Sequence, residues 1–120
     1  MASHNELGRR GEEIAQQYLL SKNYLIIDTN WKAGHYELDI VATKGDWLVV
    51  VEVKTRSTAL FGRPEEFIDA AKMKRIGVAT HHYVLAKQIT SDIRFDIISI
   101  VMYANGKYKL EHLEDAFVPR

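Results

Sequence analysis

The segment Trp47-Leu48-Val49-Val50-Val51-Glu52-Val53 constrains the fold of this chain more than any other. Side chains of a strand alternate between its two faces, and here β-branched residues point both ways. A strand that is apolar on both sides needs cover on both sides, so it belongs at the centre of a layered domain. The same alternation puts Leu48, Val50, Glu52 and Lys54 on one face, where a carboxylate and an ammonium continue an apolar row. A carboxylate carried into a core is costly unless a metal, a cation or hydrogen-bond donors meet it.

The segments around this strand supply the cover. Leu7, Gly11, Ile14, Ala15, Tyr18 and Leu19 recur at helical spacing and predict a helix over Leu7 to Ser21, with Ser3 or Asn5 as a candidate cap. Tyr24 to Ile27 reads as a short strand and Tyr36 to Thr43 as the next, joined to the central strand by a turn at Gly45-Asp46. After a loop from Thr55 to Gly62, a second helix is expected from Pro64, with Glu65 and Glu66 in its first turn, to about Ala86. Ile93 to Tyr103 is a strand, Asn105-Gly106 a two-residue hairpin turn, and Lys107 to Leu110 the returning partner. Leu113 to Phe117 offers a last short element. This order predicts a single α/β domain over 1–120, with a mixed sheet flanked by two helices.

Composition narrows the chemistry. The 120 residues contain no cysteine, which removes disulfides, zinc thiolate sites and cysteine nucleophiles together. The apolar runs, Trp47 to Val51 among them, fall far short of the ~20 residues that span a bilayer, and Met1 to Arg10 is polar. A cytoplasmic protein without a membrane partner is expected. The formal net charge is zero, so any affinity for nucleic acid must come from a local patch. Such a patch exists between Lys54 and Arg75: Lys54, Arg56, Arg63, Lys72, Lys74 and Arg75 oppose Glu65, Glu66 and Asp69, a surplus of three. Lys72 and Arg75 share a helical flank, either as phosphate contacts or as a plain solvated face, and Arg9 and Arg10 could extend the patch. Trp31 and Trp47 read as packing residues rather than base-stacking platforms.

The acids are placed where chemistry is possible. Glu37 and Asp39 share a face of the strand before the central one, and the short turn makes the two strands antiparallel neighbours, so Asp39 can lie near Glu52. Two carboxylates on adjacent strands form an oxygen-donor site for a hard cation such as Mg²⁺ or Mn²⁺. A nearby Lys54 could orient a water or stabilise charge on a phosphate. On a solvent-facing strand the same Glu-x-Lys would be only an exposed ion pair; the apolar run before it and the Glu-x-Asp on the neighbouring strand set it apart.

Together, Glu12, Glu37-Leu38-Asp39 and Glu52-Val53-Lys54-Thr55-Arg56 resemble the PD-(D/E)XK nuclease superfamily. The chain looks closest to the YraN-like bacterial family, which is similar to archaeal Holliday junction resolvases. The likeness takes in Leu7-Gly8-Arg9-Arg10-Gly11-Glu12-Glu13, Phe61-Gly62-Arg63-Pro64-Glu65-Glu66 and Arg94-Phe95-Asp96 as well. It implies a restriction-endonuclease-like three-layer fold and a Mg²⁺-dependent (or Mn²⁺-dependent) endonuclease acting on DNA, with branched or damaged DNA as candidate substrates and a homodimer as the candidate assembly. In that resemblance Asp39, Glu52 and the Val53 carbonyl hold the metal, Lys54 is the catalytic lysine, and Glu12 is the acid of the first helix. Glu37 would support the ligands without binding metal, and Arg56, Arg63, Lys72 and Arg75 would contact nucleic acid. Leu38 stands in place of the nominal proline, and Tyr36 where glycine is more usual. The rival reading is a non-catalytic module that binds nucleic acid or a protein partner on the same fold.

Overall fold

In the computed structural model, which describes residues 4–57 and 68–119, the chain order is α1 (His4–Ser21), β1 (Leu25–Ala33), β2 (Tyr36–Lys44), β3 (Trp47–Arg56), α2 (Ala70–Lys87), β4 (Asp92–Met102) and β5 (Tyr108–Leu113). The strands form a five-stranded sheet in the order β1-β2-β3-β4-β5. β3 is its centre, antiparallel to β2 and parallel to β4 across the α2 crossover, while β1 and β5 pair antiparallel at the two edges. This is the three-layer α/β arrangement of a restriction-endonuclease-like fold.

The alternation along β3 is realised on two faces. Val49 and Val51 pack with Ala15 and Leu19 of α1, and with Ile40, Ala42, Ile98 and Ile100 of the neighbouring strands. Leu48 and Val50 pack on the other side with Ile76, Ala79 and Tyr83 of α2. Each such aliphatic side chain, fully removed from water, contributes about 1.5–3 kcal/mol. Gly11 is what allows α1 to lie so close: a Cβ there would stand 2.8 Å from the Cβ of Thr55.

Some boundaries differ from the sequence expectation, each for a local reason. β1 continues to Ala33 instead of ending at Ile27, because its polar half pairs with β2 as far as Ala33–Tyr36. The register shifts between Ile26 and Asp28, a bulge that the alternation pattern does not show. α1 starts at His4, which puts Asn5 inside the helix, and Ser3 lies outside the described residues. α2 does not run unbroken from Pro64: Ile68 and Asp69 are non-helical, and Asp69 is the cap, its side chain accepting the Lys72 N–H at 2.8 Å. Pro64, Glu65 and Glu66 lie outside the described residues. The β4–β5 hairpin is wider than two residues, since the Tyr103 N–H bonds to the Lys107 carbonyl across Ala104-Asn105-Gly106. Gly106, at φ 84°, supplies the left-handed turn position. Among the described residues no regular element follows Leu113; a turn at Glu114-Asp115 returns the chain so that Phe117 packs on the α2 face. Trp31 packs edge-on against Tyr83, at 5.1 Å between ring centres, whereas Trp47 remains 43% exposed and is not a core residue. No helix among the described residues is long and apolar enough to cross a membrane.

Candidate metal centre

The site lies where β2 and β3 stop pairing. Their ladder runs from Lys44–Trp47 to Ile40–Val51, and the next rung in that register would oppose Asp39 and Glu52. At that rung carboxylates replace the main-chain ladder. Asp39 Oδ2 accepts the Val53 N–H at 2.9 Å, and the Asp39 N–H donates to the Glu52 carboxylate. Each strand keeps its other neighbour, β2 through Trp31–Leu38 and β3 through Glu52–Ile97, so both acids are held on continuous sheet.

Glu52 is the strained member electrostatically. Its residue is 4% exposed, and its Oε2 is buried with no hydrogen-bond partner among the described residues. Burial, reinforced by the charge of Asp39, pushes its carboxyl up to about 8; Lys72 and the Asp39 N–H oppose this incompletely. Asp39 is also raised, again chiefly by burial, against the pull of the Val53 N–H and Lys72. Lys72, from the first turn of α2, brings its Nζ to 3.8 Å from Glu52 Oε1. Glu12 faces the same region from α1 and is raised by burial and by Asp39. Glu13 points into solvent, as the helical stripe predicts.

One bridge is not visible in the sequence. Asn30 of β1, with its amide nitrogen toward the acids, donates to Glu12 Oε1 at 3.1 Å and to Glu37 Oε1 at 3.2 Å. It sits at φ 49°, a conformation asparagine tolerates better than most residues. Asn30 was beyond the end of the expected strand, so alternation gave it no face; an asparagine between two apolar strands was the available signal.

Two clefts open on the acids. The larger, about 420 Å³, is lined by Gly8, Arg9, Glu12, Asp39, Val53, Lys54, Thr55 and Lys72 among others. The smaller, about 210 Å³, is lined by His35, Glu37, Asp39, Glu52, Lys72 and Arg75 among others. Asp39 and Lys72 therefore border both clefts, Lys54 faces the larger, and Arg75 the smaller. Arg56 is half-buried at the end of β3, and Arg63 lies outside the described residues. Lys74 turns away, toward Gly77, Val78 and Pro119.

A divalent cation suits this donor set. Glu52 offers a buried oxygen lacking a partner among the described residues, and Asp39 a carboxylate on the facing strand directly across from it. Mg²⁺ commonly takes one or two carboxylates and completes its shell with water and phosphate oxygens. Among the described residues no cluster of three or more acidic, histidine or cysteine side chains is assembled to hold an ion, so the protein ligands would be this pair and the Val53 carbonyl.

A mixed sheet between two helices, with paired acids where its central hairpin opens, defines a protein of the restriction-endonuclease-like class. The chain belongs to the UPF0102 family, the YraN-like group its motifs resemble: the family model, described as "Uncharacterised protein family UPF0102", matches residues 11–100. It is 50% identical over 119 residues to a UPF0102 protein of Bacteroides thetaiotaomicron, covering 99% of this chain and 98% of the relative. A UPF0102 protein of Christiangramia forsetii is 44% identical over 117 residues, covering 98% of each chain. One from Porphyromonas gingivalis is 49% identical over 118 residues, covering 98% of this chain and 87% of the relative.

Proposed function

We propose that this protein is a metal-dependent endonuclease that hydrolyses phosphodiester bonds of DNA. The observation that carries the proposal is the buried Glu52 oxygen, unpartnered among the described residues and held across from Asp39 beside an ammonium. A structural carboxylate would have its oxygens satisfied, whereas this one keeps a donor atom for a cation.

Asp39, Glu52 and the Val53 carbonyl would hold Mg²⁺ or Mn²⁺, which when bound polarises a phosphoryl oxygen and acidifies a water. The remaining work falls to the chain's own side chains. Arg9 and Lys54 face the larger cleft and bring positive charge to a phosphodiester. Lys54 would orient the attacking water and stabilise charge developing on phosphate. Glu12, whose carboxyl is raised by burial, can hold or accept a proton on the α1 side of the cleft. Glu37 is tied to Glu12 through Asn30 and fixes that wall. Arg75, at the smaller cleft, and Arg56 are further candidates for the DNA backbone. Cutting a branched substrate on two strands needs two such sites, which extends the proposal to a homodimer.

The test is to titrate Mn²⁺ calorimetrically into wild type, Asp39→Ala and Glu52→Ala, and to assay each on branched, duplex and single-stranded DNA. Wild type should bind the ion and cut at least one substrate, and each substitution should remove binding and lower cleavage by at least about a hundredfold. Binding without cleavage of any substrate would favour the non-catalytic module. No binding at all would end the metal reading.

A further inference from the structure

Lys72 borders both clefts, and the charge around it does not add up with a metal bound. Its backbone is fixed, because the Asp69 side chain accepts its N–H at 2.8 Å in the first turn of α2. The side chain leaves that turn over the open end of the β2–β3 ladder, 37% exposed, and reaches Glu52 Oε1 at 3.8 Å. That distance is an ion pair and not a hydrogen bond. The ammonium therefore neutralises charge without hydrogen-bonding the carboxylate, and Oε2 still has no partner among the described residues.

With both carboxylates ionised, as metal binding requires, the two acids and one ammonium carry a local charge of about −1. A divalent cation added to the same three groups would turn it to about +1, with two cations sharing one carboxylate a few ångströms apart. The two cannot occupy Glu52 together at little cost. We infer that Lys72 is a tethered counter-ion that competes with the divalent metal for Asp39 and Glu52, withdrawing toward the clefts when the metal enters. The inference rests on the metal reading above and adds a residue that sets metal affinity. It also orders the events. The larger cleft already holds Arg9 and Lys54, so an ammonium moving into it is stabilised by an incoming phosphate. Metal and phosphodiester then favour one another through the same side chain.

The experiment is calorimetric titration of Mn²⁺ into wild type, Lys72→Met, Lys72→Arg and Lys74→Met, with thermal melts of each with and without the ion. Methionine keeps the apolar stem and removes the charge, and Lys74 is a control that faces away from the site. Lys72→Met should tighten Mn²⁺ binding about tenfold, the scale of one lost competing charge in a partly solvated site. Lys72→Arg should stay within about threefold of wild type, and Lys74→Met should not differ from it. Metal-free Lys72→Met should melt lower than wild type and gain more from saturating Mn²⁺. Wild-type binding with Lys72→Met equal or weaker would overturn the counter-ion role and leave the metal reading standing. No Mn²⁺ binding by any of the four would overturn both.

Discussion

Two carboxylates lie almost side by side on the central parallel strands, and they are treated in opposite ways. Glu52 pairs in register with Ile97, and Asp96 with Val51, so the acids are one rung apart but on opposite faces of the sheet. Asp96 is fully buried and fully partnered. Arg94 clasps both its oxygens, at 2.9 and 2.7 Å; His112 Nε2 lies 2.7 Å from Oδ2, and the Asp115 N–H donates at 2.9 Å. Tyr24 and Tyr18 close the outer circle through Arg94 and His112. Burial pulls the Asp96 carboxyl upward, yet the bonds from His112, Arg94 and Asp115 together outweigh it and hold it low. Glu52 has one backbone donor, the Asp39 N–H, one loose ion pair, and an oxygen with nothing to accept from among the described residues. The difference separates an acid whose oxygens the fold satisfies from an acid left with a buried oxygen unsatisfied among the described residues.

Removing the two acids should therefore have opposite effects on stability. Asp96→Ala leaves Arg94 and His112 without their anion and should cost about 3–5 kcal/mol in urea denaturation, the largest effect expected here. Glu52→Gln removes a carboxyl that on folding must take up a proton or bury its charge, and should stabilise the metal-free protein by about 1–2 kcal/mol near neutral pH. If Glu52→Gln proves the more costly of the two, the contrast is broken.

The pH dependence sharpens the same point. A carboxyl raised in the folded state binds its proton more tightly there than in the unfolded chain. Metal-free stability should then fall as pH rises from the unfolded value of 4.5 toward about 8, and Glu52→Gln should flatten that slope. Asp96 acts in the reverse sense: its contribution is present above 3.8 and is lost as pH falls through its lowered folded value. Denaturation midpoints between pH 3 and pH 9 would read both limbs, and a flat profile for wild type above pH 5 would contradict the assignment of Glu52. The smallest effect belongs to the rim of the Asp96 cluster. Tyr18→Phe loses one bond to His112 Nδ1 at 3.0 Å and should cost about 0.5–1.5 kcal/mol, with no change in Mn²⁺ affinity.

The sequence made part of this readable. Alternation along Trp47–Val53 and the short turn before it identified the central hairpin, both apolar faces and the placing of Asp39 near Glu52, because a strict period of two leaves few alternatives. Arg94 and Asp96, two residues apart on one strand, share a face for the same reason, and their ion pair follows from it. What stayed hidden arises between elements distant in the chain. No spacing rule connects Lys72 on α2 to Glu52, Asn30 on β1 to Glu12, or His112 on β5 to Asp96. The first depends on the capped start of α2 at Asp69, which lies several residues after the proline that drew attention. The second depends on a bulged edge strand, where periodicity fails.

The two-residue connection at Gly45-Asp46 works as a gauge for the chemistry at the far end of its hairpin. Gly45, at φ 56°, lets the chain reverse tightly enough to set Lys44 against Trp47, and every later rung inherits that alignment. A slip by a single position would bring Leu38 or Ile40 opposite Glu52 and put a hydrocarbon where the second anion now stands. The facing of the two acids is thus decided at a glycine at the opposite end of the hairpin.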